Sequence, residues 1–319
     1  MTKKIIVISS DSIVWNYKDV LIQLSIAMHN DQDIIIDLNA EGPDFYYLNL
    51  HNNILTMAQD LNYPLDKITI ETLNLVESSE LFVIKKSAPW HFVKNTRDLV
   101  DFKNKEIQYT FGMFIGRSNV HRLLLSSQIK KHNSIQTFHY DRNIDFHRNN
   151  LGITSIIEDY PEYIDDAVSL IKESPLKFND VFYPLLMDQH CNIQSQYSKF
   201  FVEVCCETYY SGNTFFPTEK TWRAIATGTP FIIQGPQNYL QNLKKLGFKT
   251  FESWWDEGYS EDPAAHQPIE IIKVINEISQ WDKNKIDNVY NEMKSSLEHN
   301  KKVFDNLTEE DFKKIFNYE

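Results

Sequence analysis

The segment Phe200–Phe251 most constrains what this chain can fold into, because its residues alternate between two kinds of element in a fixed order. FFVEVCC, at 200–206, is an apolar run with β-branched and aromatic content and reads as a strand. SGNTFFP then supplies turn residues. Thr218 stands where an N-cap belongs, Glu219 and Lys220 fall in the first helical turn, and Trp222, Ile225 and Ala226 recur at helical spacing. Gly228 stops that helix, and PFIIQGP is a buried strand with its own terminating turn. A polar loop between a strand end and a helix start is where α/β proteins bind anions, since free backbone N–H groups and the helix dipole converge there. Thr218-Glu219-Lys220 is therefore the first candidate site.

The chain begins in the same grammar. KKIIVIS, at 3–9, reads as a buried strand, Ser10-Asp11-Ser12 as a polar loop, Val14–Met28 as a helix and DIIIDLN, at 33–39, as a second strand. Short connections of this kind predict a parallel sheet with right-handed crossovers. Ligand groups collect at the carboxyl ends of such strands, which draws attention to Asp11, Glu41 and Asp44. A helix follows near Asn53–Asp60, then strands at KITIETLN and LFVIKKS, and the charged run DFKNKE at 101–106 reads as a connector.

IQYTFGMFIG, at 107–116, is again a buried strand, RSNVHR a polar loop and LLLSSQIKK the beginning of a helix. The helix dipole disfavours cations at a helix start, so Arg117 and Arg122 framing that loop point to phosphate binding. Residues 132–160 read as loop-dominated with one short strand at SIQTFHY, 163–172 as an amphipathic helix, and the chain from Ile269 onward as helical. The expected organisation is α/β: residues 1–105 and 106–285 as two Rossmann-like domains, and 286–319 as a helical tail.

Composition narrows the function. A formal net charge of −12 argues against a dedicated nucleic-acid binder. No apolar run approaches the ~20 residues that span a bilayer, and MTKKIIVISS reads as a first strand, so a cytoplasmic location is expected. Cys191, Cys205 and Cys206 give neither a disulfide framework nor a zinc spacing, and the histidines between His121 and His147 include no metal pair on one helix face.

Several of these motifs resemble family 10 glycosyltransferases, the α-1,3/4-fucosyltransferases of GT-B fold. The similar residues are Val204–Thr208, Phe216-Pro217-Thr218-Glu219-Lys220, Arg223-Ala224 and Pro230–Pro236, together with Ala40–Phe45 and Phe114–Arg122. The chain departs from that pattern at Thr208, where the family has Asn, at the longer YYSGN stretch, and at Phe216, where it has Tyr. The resemblance implies two Rossmann-like domains facing across a cleft and an inverting, metal-independent transfer from a nucleotide-diphosphate sugar, which is a substrate and not a cofactor. It implies that Glu41 is the general base, with Asp11 and Asp44 as alternatives. It further implies that Glu219 and Lys220 contact the donor, with Arg117 or Arg122, Glu207, Thr218 and Arg223 around its phosphates; read from the residues alone, Glu207 could equally be a buried hydrogen-bonded acid that only orients the loop. The expected acceptor is a glycan hydroxyl. A hydroxymethylated base in DNA is the variant, with His91, Lys94, Arg97 or the Arg142–Arg148 region supplying phosphate contacts. A nucleotide-sugar-binding module without turnover is the reading from a different class.

Overall fold

Strands separated by helix-length connections pair in parallel, and this chain builds such a sheet twice. The computed structural model describes residues 3–8, 17–39, 43–46, 49–99, 101, 105–116, 118–140, 146–177 and 193–318.

The first sheet contains β1 (Lys3–Val7), β2 (Asp33–Leu38), β3 (Ile68–Thr72) and β4 (Val83–Lys86). They lie in the order β1-β2-β3-β4, all parallel, with Ile5 opposite Ile35 and Ile36 opposite Ile70. α1 (Tyr17–His29) and α2 (Leu50–Leu61) connect the first three strands. Val20, Leu24, Ala27 and Met28 of α1, and Leu50, Ile54 and Ala58 of α2, recur at helical spacing and form one core with Ile6, Ile34, Ile36, Ile68 and Ile70. Right-handed crossovers that always advance in one direction return their helices to the same face. On the other face Ile5 and Val7 are each 56% exposed and Val83 is 52% exposed.

The chain continues through α3 (Trp90–Thr96) to the second sheet. Its elements are β5 (Tyr109–Phe114), α4 (Val120–Ile129), β6 (Ser134–Thr137), α5 (Phe146–Asp159), α6 (Ile164–Glu173), β7 (Phe200–Cys206), α7 (Glu219–Ala226), β8 (Phe231–Gln234) and α8 (Tyr239–Lys245). The strand order is β6-β5-β7-β8, again all parallel. β5 and β7 are interior strands; β7 is buried along its whole length, and a side chain at Gly112 would collide with the Phe200 ring. Helix α5 runs through residues read above as loop-dominated. Its first turns are polar, Phe-His-Arg-Asn-Asn, and polarity without periodicity hides a helix.

Three helices complete the chain: α9 (Gln267–Ser279), α10 (Lys283–Asn306) and α11 (Glu309–Phe316). Two compact units result: Met1–Trp90 with Thr208–Phe216 and Thr308–Glu319, and His91–Glu207 with Pro217–Leu307. The described residues between 91 and 105, expected in the first domain, fall in the second unit. There Arg97 Nη2 donates to the Phe304 and Leu307 carbonyls, and Lys105 Nζ donates to Thr229 Oγ1 at 2.6 Å. The expected tail divides. α10 stays with the second unit, where Phe304 stacks on Trp222. α11 completes the first unit, with Phe312 against Trp90, Phe316 against Phe215, and Lys86 Nζ donating to the Phe316 carbonyl at 2.8 Å. Among the described residues, no helix is long and apolar enough to cross a membrane.

Candidate anion site at the carboxyl end of β7

In the second sheet the strand order reverses between β5 and β7, and in open parallel sheets ligands bind outside the carboxyl ends of strands at such a reversal. Two cations converge there. Arg122 sits in the first turn of α4, which begins earlier than the sequence pattern predicts, because the Asn119 side chain accepts the Arg122 N–H at 2.8 Å and caps the helix at Val120. The buried Arg122 guanidinium donates through Nη2 to the carbonyls of Cys206 at 3.2 Å and Glu207 at 3.0 Å.

The second cation is Lys220. Thr218 caps α7 as its position predicts, its hydroxyl accepting the Lys220 backbone N–H at 3.4 Å. Lys220 Nζ donates to the same hydroxyl at 3.0 Å and pairs with Glu219 at 2.9 Å. The Lys220 and Glu219 side chains are each 16% exposed, so this pair reaches solvent where Arg122 barely does. Burial pushes the Cys206 thiol up to about 12, while Arg122 and Lys220 both pull it down, so both cations lie within electrostatic reach of the last residue of β7.

Glu207 follows directly and is buried. Its carboxylate accepts from the Thr218 N–H at 3.2 Å, the Thr218 hydroxyl at 2.5 Å, the Thr221 hydroxyl at 2.6 Å and the Tyr239 hydroxyl at 2.9 Å. These protein donors occupy the oxygens that a donor contact by Glu207 would need. Arg223 differs from Arg122 in the same way. It is 2% exposed, its Nε donates to Tyr197 Oη at 2.7 Å and its Nη2 to Glu203 Oε1 at 3.2 Å. Tyr197 in turn donates to Glu203 at 3.0 Å, and burial raises the Glu203 carboxyl against the pull of Arg223. Arg223 thus locks α7 onto β7 from inside.

The other expected residues are distributed as follows. Asp11, Glu41 and Arg117 lie outside the described residues. Asp44 is buried in the first unit, where Oδ1 accepts the Tyr46 N–H at 2.8 Å and Oδ2 the Asn213 N–H. Beside it burial raises the Glu77 carboxyl to about 7; Glu77 accepts from the Phe45 N–H at 3.0 Å and from Asn74 Nδ2 at 3.1 Å. Arg97 is engaged with the end of α10. His91 lies within electrostatic reach of Glu219, although burial lowers its own pKa. Thr221, Tyr239 and the buried His121, which contacts Gln234 Nε2 at 3.1 Å, escaped sequence reasoning. Thr221 stands one helical turn beyond the Thr218 cap, which was a usable signal; nothing local marks Tyr239.

One pocket of about 720 Å³ in the second unit is lined by Glu158, Asp159, Glu162, Asp262 and Glu270, with Tyr160 and His266. Five carboxylates in one lining disfavour an anionic ligand in this pocket. Cys205 and Cys206 are free and buried. Among the described residues no group of three His, Cys, Asp or Glu could hold a metal ion. Compared with known proteins, the chain matches no family model and no curated relative.

Proposed function

We propose that this protein is an inverting glycosyltransferase that moves a sugar from a nucleotide-diphosphate sugar to an acceptor hydroxyl, with a GT-B arrangement of its two units. The observation that carries this reading is the convergence of Arg122 and Lys220 on the carboxyl end of β7, at the reversal of strand order. Two fixed cations suit a leaving diphosphate, whose charge grows as the glycosidic bond to phosphate breaks. The acceptor oxygen forms the new bond to the anomeric carbon from the opposite side and loses its proton to a base. Glu41 takes that role by the family resemblance. Glu219, held against Lys220, would accept from hydroxyls of the donor sugar.

A thermal-shift screen over nucleotide sugars identifies the donor, since ligand at about 100 times Kd stabilises by about 2.7 kcal/mol. With that donor, Lys220→Ala and Arg122→Ala should each lower turnover by ~10²–10³. Unchanged transfer in both variants would overturn the mechanism, and saturable binding without nucleoside diphosphate release would make the protein a binding module.

A further inference from the structure

We propose that Glu207 is a positioning residue that fixes Lys220 through the Thr218 hydroxyl and Arg122 through its own carbonyl, so that the two cations act as one unit; their action on a diphosphate rests on the transfer reading above. Each of the four bonds to the Glu207 side chain is one that its oxygens accept, which sets the direction of the hydroxyls around it. The single Thr218 hydroxyl proton goes to Glu207 Oε2 at 2.5 Å. The lone pairs of that hydroxyl are left for Lys220 Nζ at 3.0 Å and the Lys220 N–H at 3.4 Å. The order is therefore Lys220 to Thr218 to Glu207.

The carboxylate cannot swing away, because Oε1 is held by the Thr218 N–H and by the hydroxyls of Thr221 and Tyr239. Tyr239 stays protonated as a donor, its phenol raised well above the ordinary range by burial and by Glu207. The carbonyl of the same residue receives Arg122 Nη2. A lysine on a flexible stem gains most from such a hold, because a charge fixed in advance costs no reorganisation when a ligand's charge develops.

Glu207→Gln tests this in the full chain. An amide nitrogen facing Thr218 donates to the hydroxyl and takes a lone pair that Lys220 uses. With lysines labelled with ¹³C at Cε, and Lys220 assigned through Lys220→Arg, its NMR resonance should move into the envelope of solvent-exposed lysines in Glu207→Gln. Thr218→Val should do the same while leaving the carboxylate intact, which covers the case where Glu207→Gln does not fold; Thr218→Ser should restore the original position. A Lys220 resonance unmoved by Thr218→Val overturns the proposal. With inorganic pyrophosphate as the probe, Glu207→Gln and Lys220→Ala should each weaken binding about ten-fold or more, and the double variant no further. Additive losses overturn the coupling. A moved resonance in a protein that binds no pyrophosphate leaves the positioning standing and removes the transfer reading.

Discussion

The two sheets use one grammar and differ in strand order, and that difference decides where charge can be buried. In β1-β2-β3-β4 each crossover advances the same way, so the core forms on one face and Ile5, Val7 and Val83 stand exposed on the other. In β6-β5-β7-β8 the strand at the reversal, β7, lies between β5 and β8 and is buried along all its residues. A charge placed in or just after such a strand has no water to solvate it and requires internal partners. Glu203 finds Arg223 and Tyr197, and Glu207 finds Thr218, Thr221 and Tyr239. The buried acids of the first unit, Asp44 and Glu77, instead hold loop backbone beyond the strands. The reversed sheet therefore carries the ordered polar framework from which an anion site can be built.

The sharpest way to break this contrast is Arg223→Ala. It leaves the Glu203 carboxylate buried without its cation, which should cost about 3–5 kcal/mol in urea denaturation. Replacing Glu203 and Arg223 together by Met should cost far less, because no charge is then stranded. A loss below about 1 kcal/mol for Arg223→Ala would show that the pair does not hold α7 to β7. The two faces of the first sheet give the next test. Ile6 lies in the core and Ile6→Ala should cost about 2–5 kcal/mol. Its neighbour Ile5 is mostly exposed, and Ile5→Ala should stay within about 0.5 kcal/mol. Equal losses would mean that both faces are packed.

Local pattern made the strands, the Thr218 cap and the Gly228 stop legible, the last confirmed by a φ of 62° that favours glycine. Pattern could not separate Arg122 from Arg223. Both are arginines on short helices, and only the partners brought up by β7 tell that one lies at a strand end and the other inside a buried pair. The tail was legible as helical, but the apolar residues Phe312 and Phe316 of α11 do not say which core receives them. The bonds from the Tyr239 hydroxyl to Glu207 and from the Phe215 N–H to Asn74 Oδ1 join residues far apart in sequence, where no local spacing rule reaches. Asp11 and Glu41 lie outside the described residues.

The pH dependence of the first unit is smaller in effect and runs opposite to a paired carboxylate. Glu77 has an ordinary value of 4.5 and a folded value of about 7, raised first by burial and then by Asp44. An acid that holds its proton more tightly when folded stabilises fully below 4.5, and this contribution is lost as pH rises through about 7. A tenfold change in proton affinity is worth about 1.4 kcal/mol, so the loss is on the order of 3 kcal/mol across the window. Glu77→Gln keeps an acceptor for the Phe45 N–H and Asn74 Nδ2 and cannot ionise. Its melting temperature should therefore fall less than the wild type's between pH 5 and pH 8. A pH profile identical to the wild type would show that Glu77 ionises in the folded chain as it does in water.

The smallest expected effect compares two asparagines at helix starts. Asn119, at the start of α4, has extended backbone and accepts the Arg122 N–H, so Asn119→Ala should cost about 1 kcal/mol. Asn49, at the start of α2, has φ 56° and makes no side-chain cap bond to the backbone. Asparagine tolerates that left-handed backbone and glycine adopts it freely, so Asn49→Gly should change stability by less than about 0.5 kcal/mol. The two variants also differ beyond stability. Asn119→Ala loosens the helical turn that presents Arg122 to the Cys206 and Glu207 carbonyls, so it should weaken pyrophosphate binding a few-fold, by about the worth of one hydrogen bond. Asn49→Gly lies in the other unit and should leave that binding unchanged. If Asn49→Gly weakened it as much as Asn119→Ala, the anion site would depend on the first sheet as well as on the reversal in the second.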